Sequence, residues 1–165
     1  MIRARREQDL DRLCATLQAL GHPSSGWSAA ALRGWLTEHR TEQSWVFDQA
    51  PVTVAPTSNV VGHVEIFVPV AASSLAAGCP WPLRDVLAIG KLFVQPQSHQ
   101  HGIARYLLKE AVRYIRGQDK QPVADLASSA VAQAFFEKYG FEQVPTADPG
   151  LTLLAHSDSP PRAAR

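Results

Sequence analysis

The sequence is poor in the features that would place it outside ordinary globular proteins. Its two cysteines, Cys14 and Cys79, lie far apart, with no CxxC and no His/Cys run. That excludes a disulfide framework and a structural zinc site, and both read as plain thiols of a reducing compartment. Net charge is equally scarce: 16 Lys+Arg against 15 Asp+Glu leave +1, too little for the broad cationic field of a protein that coats nucleic acid. A small ligand held by local dipoles stays open. No long hydrophobic run occurs. The stretch from Val64 to Ala72 is broken by Glu65 and Pro69, well short of a bilayer span, and the charged start runs into an amphipathic segment rather than an apolar leader. The expectation is a soluble, cytoplasmic chain with no membrane or nucleic-acid partner, monomeric or homodimeric.

What is present is enough core material. Hydrophobic residues make up 45% of 165 and charged residues 19%, which suits one folded domain over 1–157 with a frayed tail at 158–165. Residues 2–6 read as a strand, and Leu10, Leu13, Cys14, Leu17 and Leu20 recur at helical spacing up to Gly21. Ser28 is a cap for a second helix carrying Leu32, Trp35 and Leu36. Strands are expected at 45–47, 52–54 and 60–68. Residues 69–84, rich in Ala, Ser and Pro, read as a loop without an element of its own and as a candidate lid. A strand at 86–95, a polar turn at 96–101 and a long helix at 102–115 follow. Then come a strand at 122–126, a helix at 130–139 capped by Ser128 or Ser129, and closing strands at 141–144 and 151–155.

The turn between Val94 and the long helix carries the chemistry. A strand stops at Pro96, and the first N–H groups of the helix after Gly102 lack intrahelical partners while the helix dipole adds partial positive charge. Such a turn suits a phosphate. There is no GxxxxGK[ST] and no GxGxxG to claim it for other nucleotide folds.

The residues Val94-Gln95-Pro96, then His99-Gln100-His101-Gly102-Ile103-Ala104, resemble motif A of the GCN5-related N-acetyltransferases (GNAT). Ala132-Gln-Ala-Phe135-Phe136-Glu137-Lys138-Tyr139-Gly140-Phe141 is similar to that family's late helix and hairpin, and Ile2 to Leu10 and Val60 to Val64 look like its first strand and helix and its third strand. The resemblance implies an α/β (α+β) fold: a mixed, largely antiparallel sheet of about 6–7 strands flanked by about 4 helices. It implies acetyl-CoA as cosubstrate, no metal, and transfer of the acyl group directly to an unidentified amine acceptor. By that resemblance the backbone of Leu92, Phe93 and Val94 pairs with the pantetheine amides, and the N–H groups of His99, Gln100, His101, Gly102, Ile103 and Ala104 cradle the pyrophosphate. Arg105 is placed to meet a CoA phosphate, and Ser129 and Phe136 to border the cofactor.

Several positions depart from the family pattern. His99 stands where Arg or Gln is usual, and it carries no permanent charge near neutral pH. His99-x-His101 lacks a third ligand at usable spacing, so a metal is not expected. Phe136 takes the place of a tyrosine that protonates the leaving thiolate, a proton phenylalanine cannot donate; Tyr139, one turn on, offers a hydroxyl, and its other reading is packing. The usual carboxylate position falls on Ala88. Glu65, His63 and Asp85, in that order, are the candidate bases, Glu65 and His63 sharing one strand face. A non-catalytic acyl-CoA-binding domain, or an interaction domain that kept only the fold, is the alternative. Arg105, Lys109, Arg113 and Arg116 form a basic stripe that reads as a solvated face.

Overall fold

The computed structural model describes residues 1–38, 40–49, 59–146, 148 and 150–157, with the backbone alone at 99–101. The expected strand at 52–54 and the tail at 158–165 lie outside the described residues. The chain runs β1 (Ile2–Ala4), α1 (Leu10–Leu20), α2 (Ala29–Thr37), β2 (Thr41–Asp48), β3 (Val60–Phe67), α3 (Ser74–Gly78) and β4 (Val86–Val94). It continues with α4 (Ile103–Arg116), β5 (Gln121–Ala124), α5 (Gln133–Lys138), β6 (Phe141–Val144) and β7 (Leu153–His156). One seven-stranded sheet has the order β1-β2-β3-β4-β5-β7-β6, antiparallel throughout except for the parallel β4–β5 pair. The mixed, largely antiparallel fold expected from the sequence is the fold observed.

The two faces of the sheet are filled differently. On one, Leu87, Ile89, Leu92 and Val94 pack against Ile103, Leu107 and Leu108 of α4 and against Phe136. The long apolar stripe of α4 is what binds it there, and Gly62 lets it approach closely: a Cβ at that position would lie 3.0 Å from both Ile103 Cγ2 and Leu107 Cδ1. On the other face, α1 and α2 bury Leu13, Leu17, Leu32 and Leu36 against Val46, Val60 and Phe93. Each fully buried leucine contributes about 1.5–3 kcal/mol relative to exposure.

The N-terminal edge is tied down by charge. Arg3 forks onto Asp9 through two 2.8 Å bonds and reaches Asp48 Oδ2 at 3.0 Å. Burial disfavours the Asp9 carboxylate, but the Arg3 fork and the Arg6 N–H outweigh it and hold the group below the usual carboxylate range.

Three expectations change. The segment 69–84 does hold an element, the short α3, started by Ser73 Oγ accepting from the Ala76 N–H. Leu75, Cys79 and Trp81 lay this segment over Phe67, Val86 and Ala88, continuing the face that α1 and α2 cover. The late helix begins at Gln133, with Ala132 rather than a serine at its N-cap, because Ser128 and Ser129 turn back to β4 instead. The first strand ends at Ala4, two residues early. Among the described residues, no helix is long and apolar enough to cross a membrane.

Candidate active site

The site begins with a fault in β4. Register shifts between His63 and Glu65, where His63 faces Phe93 and Glu65 faces Gly90. Lys91 takes φ 47°, a left-handed conformation uncommon for a side chain of this size. Leu87, Ile89, Leu92 and Val94 all face α4, so Gly90 and Lys91 together share the opposite face: a β-bulge. β4 pairs with β5 only from Val86 to Ile89, and Asp125 N–H closes the ladder on Ile89 O at 2.8 Å. Beyond that point the strands part.

The segment after β5 crosses this opening. Lys91 N–H donates to Ser128 Oγ at 3.0 Å, Leu92 N–H to Ser129 Oγ at 3.3 Å, and Ala130 N–H to Leu92 O at 2.9 Å. Gly90 is required beneath it, since a Cβ would meet Ser128 Oγ at 2.6 Å and Phe67 Cε1 at 2.8 Å. The Leu92 backbone, expected to pair with pantetheine, is therefore already engaged by Ser129 and Ala130. The long 3.3 Å contact is the weaker of these bonds.

Past the opening lies a cleft of about 220 Å³ lined by Val94, Gly102, Ala104, Arg105, Val131, Phe135 and Tyr139. Gly102, at φ 65°, starts α4 and leaves the first-turn N–H groups at the cleft. Arg105 is exposed at its rim. Tyr139 is half-buried, its ring 4.9 Å from that of Phe135. Phe136 does not reach the cleft: it is fully buried, edge-on to Phe141 at 5.4 Å, and Phe135 supplies the aromatic wall instead. Lys109 and Arg113 of the basic stripe are exposed, whereas Arg116 donates to His156 O at 2.6 Å.

On the opposite face of the bulge, β3 and β4 bury a polar cluster. His63, Glu65 and Lys91 are each 0% exposed. Lys91 Nζ lies 3.2 Å from Glu65 Oε2 and 3.8 Å from Glu38 Oε1, donates to the Trp35 carbonyl, and sits 4.9 Å from the Trp35 ring centroid. Glu65 Oε1 accepts from Thr41 Oγ1 at 2.8 Å. Arg5 Nη1 donates to Leu36 O at 3.0 Å and lies 3.2 Å from His63 Nε2. A guanidinium only donates, so Nε2 is the accepting nitrogen and Nδ1–H donates to Lys91 O at 2.8 Å. Burial, then the Arg5 charge, push the His63 pKa down to about 3. Burial likewise lowers Lys91, against the pull of Glu65, and lowers Arg5.

Two members of this neighbourhood carried no signal in the sequence. Lys91 sits on a strand whose alternation breaks at the bulge. His22, in the α1–α2 connection, donates from Nε2 to Ser128 O at 2.9 Å and meets the Trp35 ring edge-on at 5.6 Å. Asp85 is exposed ahead of β4, four residues before the strands part. Among the described residues no group of three or more His, Cys, Asp or Glu side chains is arranged to hold a metal ion.

Known proteins share this fold. The chain is similar to a GNAT family acetyltransferase from Brucella melitensis in complex with acetyl-CoA, with 15% identity and a TM-score of 0.60 over 97% of this chain and 88% of that one. It is similar to a ribosomal-protein-alanine N-acetyltransferase from the same organism, with 18% identity and a TM-score of 0.58 over 94% and 96% of the two chains. A GNAT family N-acetyltransferase from Escherichia coli in complex with CoA gives 17% identity and a TM-score of 0.56, over 94% and 79%. At such identities these likenesses speak to the fold. A search of curated proteins gives no match. The family model for the acetyltransferase (GNAT) domain matches residues 40–149, which contain the bulge, the cleft and the start of α4, and the chain belongs to that family.

Proposed function

We propose that the protein is an N-acetyltransferase that moves an acetyl group from acetyl-CoA directly to a primary amine. The observation that carries this reading is the parting of β4 from β5 at the Gly90–Lys91 bulge, which opens toward the cleft at the start of α4. Two of the similar structures, from Brucella melitensis and Escherichia coli, are complexes with acetyl-CoA and CoA. The residues fit such a ligand. The first-turn N–H groups after Gly102 and the turn from His99 suit the pyrophosphate, and Arg105 at the rim suits a further phosphate. The backbone from Leu92 to Val94 suits the pantetheine arm once Ser129 releases it, and Phe135 and Tyr139 wall the arm from water.

Acetyl-CoA supplies the activated thioester carbonyl. The protein must take a proton from the acceptor amine, and Glu65 is the assigned base: its backbone pairs with Gly90 across the β3–β4 ladder, next to the point where β4 leaves β5. His63 holds the cluster rather than accepting a proton, since both its nitrogens are committed to Arg5 and Lys91. Tyr139 is the hydroxyl at the cleft wall available to the leaving thiolate.

The test is thiol release from acetyl-CoA with small amines, aminoglycosides, amino acids, lysine peptides and peptide N-termini as acceptors. Turnover with one class supports the reading. CoA binding without thiol release from any class would replace it by an acyl-CoA-binding domain, the alternative that apolar Ala88 and fully buried Phe136 favour.

A further inference from the structure

We propose that Lys91 and Glu38 form a proton exit from Glu65 to solvent. The inference rests on the reading of Glu65 as the base. Glu65 is 0% exposed, so a proton that it takes from the amine reaches bulk water by way of the groups packed against it. Lys91 bridges it outward: Nζ is 3.2 Å from Glu65 Oε2 and 3.8 Å from Glu38 Oε1, and the Glu38 side chain is 49% exposed. The bulge is what makes the bridge, because it turns Lys91 to the face of Glu65 and of the α2 C-terminus, where Trp35 O fixes the ammonium.

Among the described residues, the charged groups around Lys91 are Glu65 from β3, Glu38 at the end of α2 and Arg5 after β1, with neutral His63 beside them. Arg5 and Lys91 balance Glu65 and Glu38, so an acceptor ammonium arriving at Glu65 leaves this group with one excess positive charge. The favourable relief is loss of one proton. The acceptor N–H proton goes to Glu65 Oε2, Lys91 passes one of its protons to Glu38, and the resulting neutral amine of Lys91 takes the proton from Glu65. Glu38 then releases it to water, and every group returns to its starting charge. Burial already lowers the Lys91 pKa, which eases the middle step.

The test is steady-state thiol release by the wild type and by Glu38→Ala in weak buffer, with rising imidazole. Expected is a fall on the order of tenfold in kcat for Glu38→Ala, unchanged KM for acetyl-CoA, and recovery with imidazole that the wild type does not need. A structural role for Glu38 predicts no such recovery. Lys91→Arg, which keeps the charge but cannot give up a proton, is expected to stay slow at every imidazole concentration while melting as a folded protein. Wild-type turnover with Glu38→Ala equally fast in weak buffer, or slow beyond rescue, would overturn the exit path alone. Absence of wild-type turnover with every amine would overturn the base assignment and the path together.

Discussion

Glu65 stands directly across the β3–β4 ladder from Gly90, the first residue of the bulge. Ala88, two residues earlier on β4, where the sequence resemblance puts the family's usual carboxylate, lies under Leu75, Cys79 and Trp81 in an apolar patch. Glu65 is the carboxylate-bearing residue paired with the bulge, and its side chain is buried against Lys91 and Thr41. Replacing Glu65 by Gln keeps the Thr41 hydrogen bond and removes the charge. The expected result is a loss of about 10²-fold or more in kcat, with the KM for acetyl-CoA little changed. A kcat within threefold of wild type and an unaltered pH–rate profile would remove Glu65 from the chemistry.

The Lys91–Glu65 pair makes a separate prediction about stability. Removing one partner of a buried pair leaves an uncompensated charge, at a cost of about 3–5 kcal/mol. Lys91→Met is expected to lose that much in urea unfolding, and adding Glu65→Gln is expected to recover most of it, because the second change removes the stranded carboxylate. A double variant no more stable than the single one would mean that Glu65 carries no charge in this cluster.

His63 gives the fold an acid limit. Its folded pKa is about 3 against an ordinary 6.5, so between those values the unfolded chain binds a proton that the folded chain refuses. The stability contributed by neutral His63 is complete above about pH 6.5 and is lost progressively as pH falls toward 3, at about 1.4 kcal/mol per unit. His63→Phe, which keeps a ring over Phe93, removes this slope. Unfolding free energy measured from pH 7 to pH 4 is expected to fall more steeply for wild type than for the variant. Parallel curves would show that the imidazole is charged, or free to become charged, inside the fold.

Much of this was legible from residue patterns, and the exceptions share a cause. The apolar period of Ile103 to Ile115 identifies α4, and the Pro96 to Gly102 turn marks its start, because both depend on local geometry. His63 and Glu65 share a face because β3 alternates regularly. Lys91 escapes the same reasoning: strict alternation puts it with Ile89, whereas the bulge sends it to the other face, and a bulge is set by what packs around Gly90. Ser128 and Ser129 misled in the opposite sense. Serines before a helix are good caps, but the parted strand leaves the N–H groups of Lys91 and Leu92 needing acceptors, and that tertiary demand outweighs capping. The five-residue α3 was hidden by composition, since Ala and Gly carry little pattern.

Ser129 links these two levels. In the free protein its hydroxyl accepts the N–H of fully buried Leu92 at 3.3 Å. Ser129→Ala leaves that N–H without this acceptor, which costs about 1–3 kcal/mol, and each kcal/mol corresponds to about 2–4 °C in Tm for a chain of this size. If pantetheine takes the same N–H on binding, the bound protein does not need the serine. The free variant should therefore melt well below wild type while the CoA-bound variant melts close to it, so that CoA produces a larger Tm rise in the variant. The comparison is a thermal melt of both proteins with and without saturating CoA. A smaller rise in Ser129→Ala than in wild type would mean that the hydroxyl touches the ligand itself and does not stand in for it.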